Sequence, residues 1–290
     1  MDNKILSVVI VTWNSEDEID ACIGSILKTA REHGFDDYEI IIVDNASGDE
    51  TVNIIEGYGS DRIRLIVNGE NTGYTKASNQ GIETAKGEYV LLLNPDTVIK
   101  GNALRGLVDY LKGKGGAGAA APQLLNEDGT IQKSCRKLPR YPDMFFEMSL
   151  LAAVFPKSSF FARWKMNYFD HNSEQPVEQP MAAALMIKKR VLDNVGNMDS
   201  RYQMFFNDVD LCRKILDSGK DIMFYPAEKI VHAKGKSVYK DRARMIKIWN
   251  DDCLKYFKKY HNNIVLYPLL FIGIKTTGAF RILFYKIFKN

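Results

Sequence analysis

Three stretches of this chain combine residue types that do chemistry on oxygen. Leu91-Leu92-Leu93-Asn94-Pro95-Asp96-Thr97 sets a carboxylate directly after an apolar run, in a turn whose shape the proline restricts. A diphosphate-bound Mg2+ or Mn2+ takes hard oxygen ligands and keeps positions for phosphate and water, so one or two protein groups suffice. Asp96 is the candidate metal ligand, and Asn94 stands where a second carboxylate would serve; Asn-Pro-Asp is also an ordinary turn. Phe205-Phe206-Asn207-Asp208-Val209-Asp210-Leu211 sets two carboxylates beside aromatic rings. A carboxylate in a partly desolvated pocket holds its proton more tightly and is better matched to act as a base. Asp208 is the candidate for that role, and Asp210 is expected to cap or begin the following helix. Val231-His232-Ala233-Lys234-Gly235-Lys236-Ser237 reads as an imidazole after a turn, then a glycine between lysines. His232 can complete a metal shell, although a histidine by itself is more often structural, and Lys236 with backbone N–H groups about the glycine suits a diphosphate.

These residues need elements to position them. Residues 6–11, 39–43, 63–67 and 89–93 are apolar runs of strand length, and residues 18–30 carry Ile19, Ile23, Ile26 and Leu27 at helical spacing. A helix is expected over 74–84 and another near residue 50, capped by Ser47 or Asp49. Strands without polar alternation, separated by helices, predict an α/β fold with a mostly parallel sheet covered on both faces. Such sheets bind ligands beyond the carboxyl ends of their strands, which singles out Thr12, Asn14, Asp44, Asn45 and Asp96. Asp44 could accept hydrogen bonds from a nucleobase or ribose, or simply form the turn of Asp44-Asn45-Ala46-Ser47-Gly48. Residues 113–121 are Gly/Ala-rich, and 138–179 read as an irregular, partly helical insertion or lid. Order resumes with a small-residue strand over 181–188, a helix from residue 189, a segment over 205–216 and a short strand over 222–225. A helix over 243–260 is followed by a basic, aromatic, amphipathic segment over 264–288.

The chain has 290 residues, 46% apolar and 26% charged, with a formal net charge of +3. Residues 233–290 hold 13 Lys and Arg against 3 Asp and Glu, so the rest of the chain is net acidic. That asymmetry points the tail toward an anionic partner such as phospholipid headgroups or a diphosphate lipid; a solvated basic helix surface and packing against a second copy are the alternatives, and nucleic acid is not an expected partner. Cys22, Cys135, Cys212 and Cys253 form no metal or disulfide pattern, which fits a reducing cytoplasm. No secretory leader is read at the N-terminus. The most apolar tail stretch, 264–274, contains Pro268 and reads as too short for the roughly 20 residues of a membrane span; a cytoplasmic location is expected, and peripheral attachment to the inner face of the cell membrane stays open.

Taken in order, residues 8–14, 41–47, Asn71-Thr72-Gly73-Tyr74 through Asn79-Gln80-Gly81, 93–97, 181–187, 205–213 and 232–237 resemble the family 2 glycosyltransferases of the GT-A fold, most closely the bacterial rhamnosyltransferase-like branch. The resemblance implies a GT-A domain over 1–240, with a nucleotide-sugar half at 1–112, an acceptor half at 113–240 that contains the 138–179 insertion, and a helical extension at 241–290. It implies an inverting displacement in which Asp208 is the base, Asp96 ligates the metal, His232 contacts metal or diphosphate, Asp44 contacts base and ribose, Thr12 and Asn14 line the nucleotide pocket, and Arg136 contacts phosphate or acceptor. The implied donor is a dTDP- or UDP-sugar, dTDP-L-rhamnose first, and the implied acceptor is a glycan or a polyprenyl-diphosphate-linked sugar of cell-surface polysaccharide synthesis. Three positions depart from the family pattern. Asn207 replaces a usual Glu, Lys76 and Ser78 replace Gly and Asn in the donor loop, and Ala182 replaces a glycine. A nucleotidyltransferase would instead carry a glycine-rich basic loop after the first strand, which Thr12-Trp13-Asn14-Ser15-Glu16 is not. A non-catalytic sugar-nucleotide-binding or scaffold protein would have no use for Asp96, Asp208 and His232 together.

Overall fold

The computed structural model describes residues 4–233 and 242–287. Strands β1 (Leu6–Thr12), β2 (Tyr38–Asp44) and β4 (Tyr89–Leu93) are buried almost throughout, as apolar strands covered on both faces should be. Between them run α1 (Ile19–Glu32), α2 (Thr51–Gly57), β3 (Ile63–Val67) and α3 (Tyr74–Thr84). The carboxylate of Asp49 accepts the Thr51 N–H at 3.1 Å and opens α2, while Ser47 turns to Asp44 instead. After β4 come β5 (Thr97–Ile99), α4 (Ala103–Gly113), β6 (Ala117–Leu125) and the two-residue bridges β7 (Ile131–Gln132) and β8 (Cys135–Arg136). Helices α5 (Tyr141–Met148) and α6 (Leu151–Val154) precede the bridges β9 (Gln175–Pro176) and β10 (Gln179–Pro180). The chain continues through β11 (Ala184–Lys188), α7 (Lys189–Val195), α8 (Asn207–Asp217), β12 (Asp221–His232), α9 (Arg242–Tyr260) and α10 (Leu266–Ile287).

The main sheet has the order β3-β2-β1-β4-β11-β6-β12-β5. Its strands are parallel except for β11, antiparallel between β4 and β6, and β5, antiparallel on the edge of β12. The expected α/β architecture with a mostly parallel sheet is therefore present. Helices α1 and α4 bury Ile23, Ile26, Leu104 and Leu107 against one face, and α3, α7 and α8 bury Ala77, Ile82, Leu192 and Leu211 against the other. A third core joins α5, the start of α8, α9 and α10 through Met144, Phe206, Tyr256, Phe257, Leu270 and Ile274.

Several readings of the sequence need correction. The Gly/Ala-rich stretch hides β6, a fully central strand; a Cβ on Gly118 would lie 2.9 Å from Lys220 Cβ and 3.3 Å from Ile215 Cγ2, so only small residues fit beneath α8. The short strand at 222–225 runs on to His232 across an irregularity between Tyr225 and Lys229, and His232 therefore ends a strand rather than following a turn. Asp210 does not cap α8. It is buried within that helix and accepts Lys259 Nζ at 2.5 Å and the Tyr260 hydroxyl at 2.8 Å from α9. The apolar tail is not limited to eleven residues, because α10 continues for 22 and is long and apolar enough, by length and composition, to cross a membrane. Pro268 sits in its first turn, where no intrahelical N–H bond is lost. Its outward positions are largely apolar, so the polar face of an amphipathic helix is missing.

One contact ties the C-terminal helices to the rest. Asp252 of α9, fully buried, accepts the backbone N–H groups of Gln203 and Phe205 at 3.1 Å each and of Met204 at 3.1 Å. A carboxylate holding three main-chain donors fixes the loop that leads into α8. Asp252→Asn keeps the volume but turns an amide N–H toward one of those donors; it should lower unfolding free energy by about 3 kcal/mol, read as a lower denaturant midpoint at unchanged slope.

Candidate active site

At the carboxyl end of the sheet lies a cleft of about 600 Å3, walled by Thr12, Asn45, Asn94, Asp96, Arg136, Gln179, Asp208 and His232 together with Trp13, Tyr74, Trp164 and Trp249. A second cavity of about 480 Å3 opens at the other end of the strands, beside Lys86, Lys112, Lys188 and Arg190, and holds none of the candidate groups.

On the β1–β2 side the strand-end residues divide into two sets. Thr12 Oγ1 donates to Asp44 Oδ1 at 2.8 Å, and the Ser47 hydroxyl and N–H donate to Asp44 at 2.5 and 2.9 Å. Asp44 is thus buried below the cleft with its carboxylate engaged in the turn. Asn14, at φ 50°, donates its N–H to Ser47 Oγ and accepts the Gly48 N–H on its side-chain oxygen; it clips two loops together and does not wall the cleft. Asn45 does reach it, and its side chain holds Asn71 and Thr72 of the loop before α3. Lys76 is exposed on α3 away from the cleft. Lys236 lies outside the described residues.

The metal candidates are brought together by strand pairing. Thr97 of β5 is registered opposite His232 of β12, and the Ala233 N–H bonds to the Asp96 carbonyl at 2.9 Å. Asp96 Oδ1 consequently lies 3.3 Å from His232 Nε2, with Asn94 Nδ2 at 3.4 Å from the same nitrogen. Gln132 decides the tautomer. Its amide N–H groups donate to the His232 carbonyl at 3.1 Å and to Asn126 Oδ1 at 3.0 Å, so its oxygen, 2.7 Å from His232 Nδ1, must accept. Nδ1 then carries a proton, and Nε2 is the nitrogen turned toward Asp96, the orientation of a metal-binding histidine whose other nitrogen is held by a partner. Among the described residues no cluster of three or more His, Cys, Asp or Glu forms a complete cage. A carboxylate and an imidazole on a polar cleft fit a divalent ion that takes its remaining ligands from a diphosphate and water.

Asp208 enters from α8. Phe206 just before it has φ 60°, a left-handed conformation that costs about 1–2 kcal/mol for a residue with a side chain and is held by packing against the rings of Trp249 and Tyr256. Asn207 donates to Thr75 Oγ1 at 3.0 Å and to the Met204 carbonyl at 3.2 Å, so the departure from the family's Glu ties α8 to α3. Burial raises the Asp208 carboxyl above the ordinary carboxylate range, against the opposing pull of the Arg136 charge, the Val209 and Ala182 N–H groups and the Gln179 amide. Gln179 Nε2 donates to Asp208 Oδ2 at 3.0 Å. Arg136 lies 5.4 Å over the Trp164 ring on the same side. Tyr74 links the two halves: burial, with smaller contributions from the charges of Asp208 and Asp96, pushes its hydroxyl up to about 12. Gln132, Gln179, Trp164 and Asp252 are not evident in the sequence. The first three lie in the irregular 126–180 region, and their partners are distant in the chain.

Comparison with known proteins accords with this geometry. The sequence model described as Glycosyl transferase family 2 matches residues 7–166. The N-acetylglucosaminyl-diphospho-decaprenol L-rhamnosyltransferase of Mycobacterium tuberculosis is 25% identical over 252 residues, covering 82% of this chain and 79% of that protein. The low-salt glycan biosynthesis hexosyltransferase Agl10 of Haloferax volcanii is 26% identical over 71% of this chain and 60% of its own length. Among solved structures, the mannosyltransferase PcManGT of Pyrobaculum calidifontis, in complex with GDP-Man and Mn2+, superposes with a TM-score of 0.60 at 17% identity, covering 93% of this chain and 73% of that one. Staphylococcus aureus TarS with UDP-GlcNAc gives 0.56 at 16% identity, over 87% and 66%. The fold is GT-A, and the chain belongs to family 2 of the glycosyltransferases.

Proposed function

We propose that the chain moves a sugar from a nucleoside diphosphate onto a hydroxyl of a glycan or polyprenyl-diphosphate-linked acceptor, with inversion at the anomeric carbon. One observation carries this: the same cleft holds Asp96 beside Nε2 of His232, and Asp208 with its proton affinity raised. Asp208 takes the proton of the acceptor hydroxyl as that oxygen bonds to the anomeric carbon. The bond from that carbon to the diphosphate oxygen breaks, and its electron pair leaves with the nucleoside diphosphate. Asp96 and His232 would hold Mg2+ or Mn2+, which when bound neutralises charge on the departing diphosphate; the imidazole donor tilts the pair toward Mn2+. Asn45 and Thr12 face the nucleoside end, where Trp13 at the rim offers a flat face to a base. dTDP-L-rhamnose is the leading donor and a UDP-sugar the other. The names of the mycobacterial and haloarchaeal relatives support a place in cell-surface glycan synthesis, and the former supports a lipid-diphosphate acceptor.

Asp208→Asn should lower kcat about a thousandfold while the Kd for UDP with Mn2+, measured calorimetrically, stays within about threefold; full turnover would remove Asp208 as the base. Gln179→Leu deletes a donor that favours the charged carboxylate. The folded-state pKa of Asp208 should then rise further, and the acid limb of the kcat profile should move to higher pH. A limb that stays in place or moves down separates Gln179 from the base. Gln132→Leu frees the His232 ring to turn or change tautomer. Mn2+ affinity in the presence of UDP, read by electron paramagnetic resonance, should fall about tenfold.

A further inference from the structure

Apolar side chains exposed on this molecule are concentrated in two places. Apart from Trp13, Val67 and Tyr168, every large apolar residue exposed among the described residues lies between 145 and 160 or between 264 and 287. The two stretches are adjacent in space. A Cβ on Gly273 of α10 would lie 2.8 Å from Met148 Sδ of α5, so the helices cross in direct contact there. Helix α10 buries only a narrow inner stripe, Leu270, Ile274 and Gly278. That stripe is locked to α9, because Gly278 abuts Asn250 and the Asn250 amide reaches the Ile274 carbonyl at 3.4 Å. The outer side of the helix presents Leu269, Phe280, Leu283 and Phe284, between 54 and 70% exposed, and the insertion presents Phe155 and Phe160 at 47 and 67%.

A helix apolar on its outer face is covered by something, and charge says by what. Residues 148–162 and 264–290 contain no Asp or Glu, and Glu147, the one carboxylate within 145–160, is already paired with Lys165. Lys157, Arg281 and Lys286 are exposed on the same two segments. A twofold contact between two copies would bring these cations together with only Glu147, already engaged by Lys165, to offset them, which is unfavourable at close range. An anionic bilayer offers both complements, acyl chains for the rings and headgroup charge for the cations. Because the inner stripe is packed on α9, the helix is presented sideways, lying along the surface with the insertion beside it.

We infer that α10 and the 145–160 insertion form one membrane-docking face that seats the protein on an anionic lipid surface. The inference is independent of the sugar-transfer reading, and its test uses no transfer assay. The full chain is floated with vesicles of phosphatidylglycerol and phosphatidylcholine, and with phosphatidylcholine alone. It should float with the first and about tenfold less with the second. Phe280→Ser with Phe284→Ser, and separately Phe155→Ser with Phe160→Ser, should each cut flotation about tenfold. All four side chains are about half exposed or more, and a melting temperature within a few degrees of the unaltered chain shows that each pair leaves the fold intact. If neither vesicle floats the protein, or if the 155/160 pair floats like the unaltered chain, the joint face is refuted. Light scattering that shows a dimer dispersed by the same substitutions, without flotation, would assign the face to a second copy instead.

Discussion

The register between β5 and β12 is the constraint on which the site depends. Ile99 opposite Ile230 and Thr97 opposite His232 lie on one face of the edge pair, and both isoleucines are buried in the core against α1 and α4. A slip of one residue would expose the isoleucines and turn His232 to the other face. Hydrophobic burial at Ile99 and Ile230 therefore sets a polar distance, that from Asp96 to the imidazole. The edge is held from outside as well, since the Ile99 N–H bonds to Ser25 Oγ at 3.0 Å and Thr97 Oγ1 returns to the Asn94 carbonyl at 2.7 Å. The turn that carries Asp96 is thus pinned at both ends before any ligand arrives.

How much of this was legible in the sequence follows from where each signal comes from. β1 to β4 were readable because apolar runs of strand length bounded by polar turns have few other solutions, and Asp96 and Asp208 stood out as carboxylates at element ends. β6 was not, because alanine and glycine are chosen there for clearance under α8 and carry no strand preference. Asp44 and Asn14 show a different limit. A strand-end carboxylate or amide looks the same whether it faces a ligand or ties down a turn, and only the positions of Thr12, Ser47 and Gly48 show that these two make turn contacts. Gln132 and Gln179 are invisible for a third reason. Each matters through one side chain far off in the chain, and neither sits in a regular element long enough to have a pattern.

The C-terminal helices belong to the site rather than trailing from it. Two buried carboxylates are exchanged between the helix of Asp208 and α9: Asp210 of α8 is held through Oδ1 by Lys259 and Tyr260, and Asp252 of α9 by the loop that opens α8. Removing one partner from either would strand a buried charge, so α8 and α9 move as a unit. The left-handed Phe206 is tolerable within that unit because its ring is packed by residues of α9.

The same packing sets the proton affinity of Asp208, the proposed base. Around Asp208 the donors Gln179, Val209 and Ala182 and the charge of Arg136 all favour the ionised form, and burial nevertheless prevails. The apolar part of that burial comes from the wall of Trp164, Phe206, Ile248 and Trp249, contributed by the insertion, the loop before α8 and α9. An acceptor entering against these rings would displace water and raise the proton affinity further. In the proposed reaction, proton transfer from the hydroxyl would then become favourable only once the acceptor is in place. Such a base would be weak toward stray water and strong toward a bound alcohol, which would protect an activated sugar from hydrolysis while the second substrate is awaited.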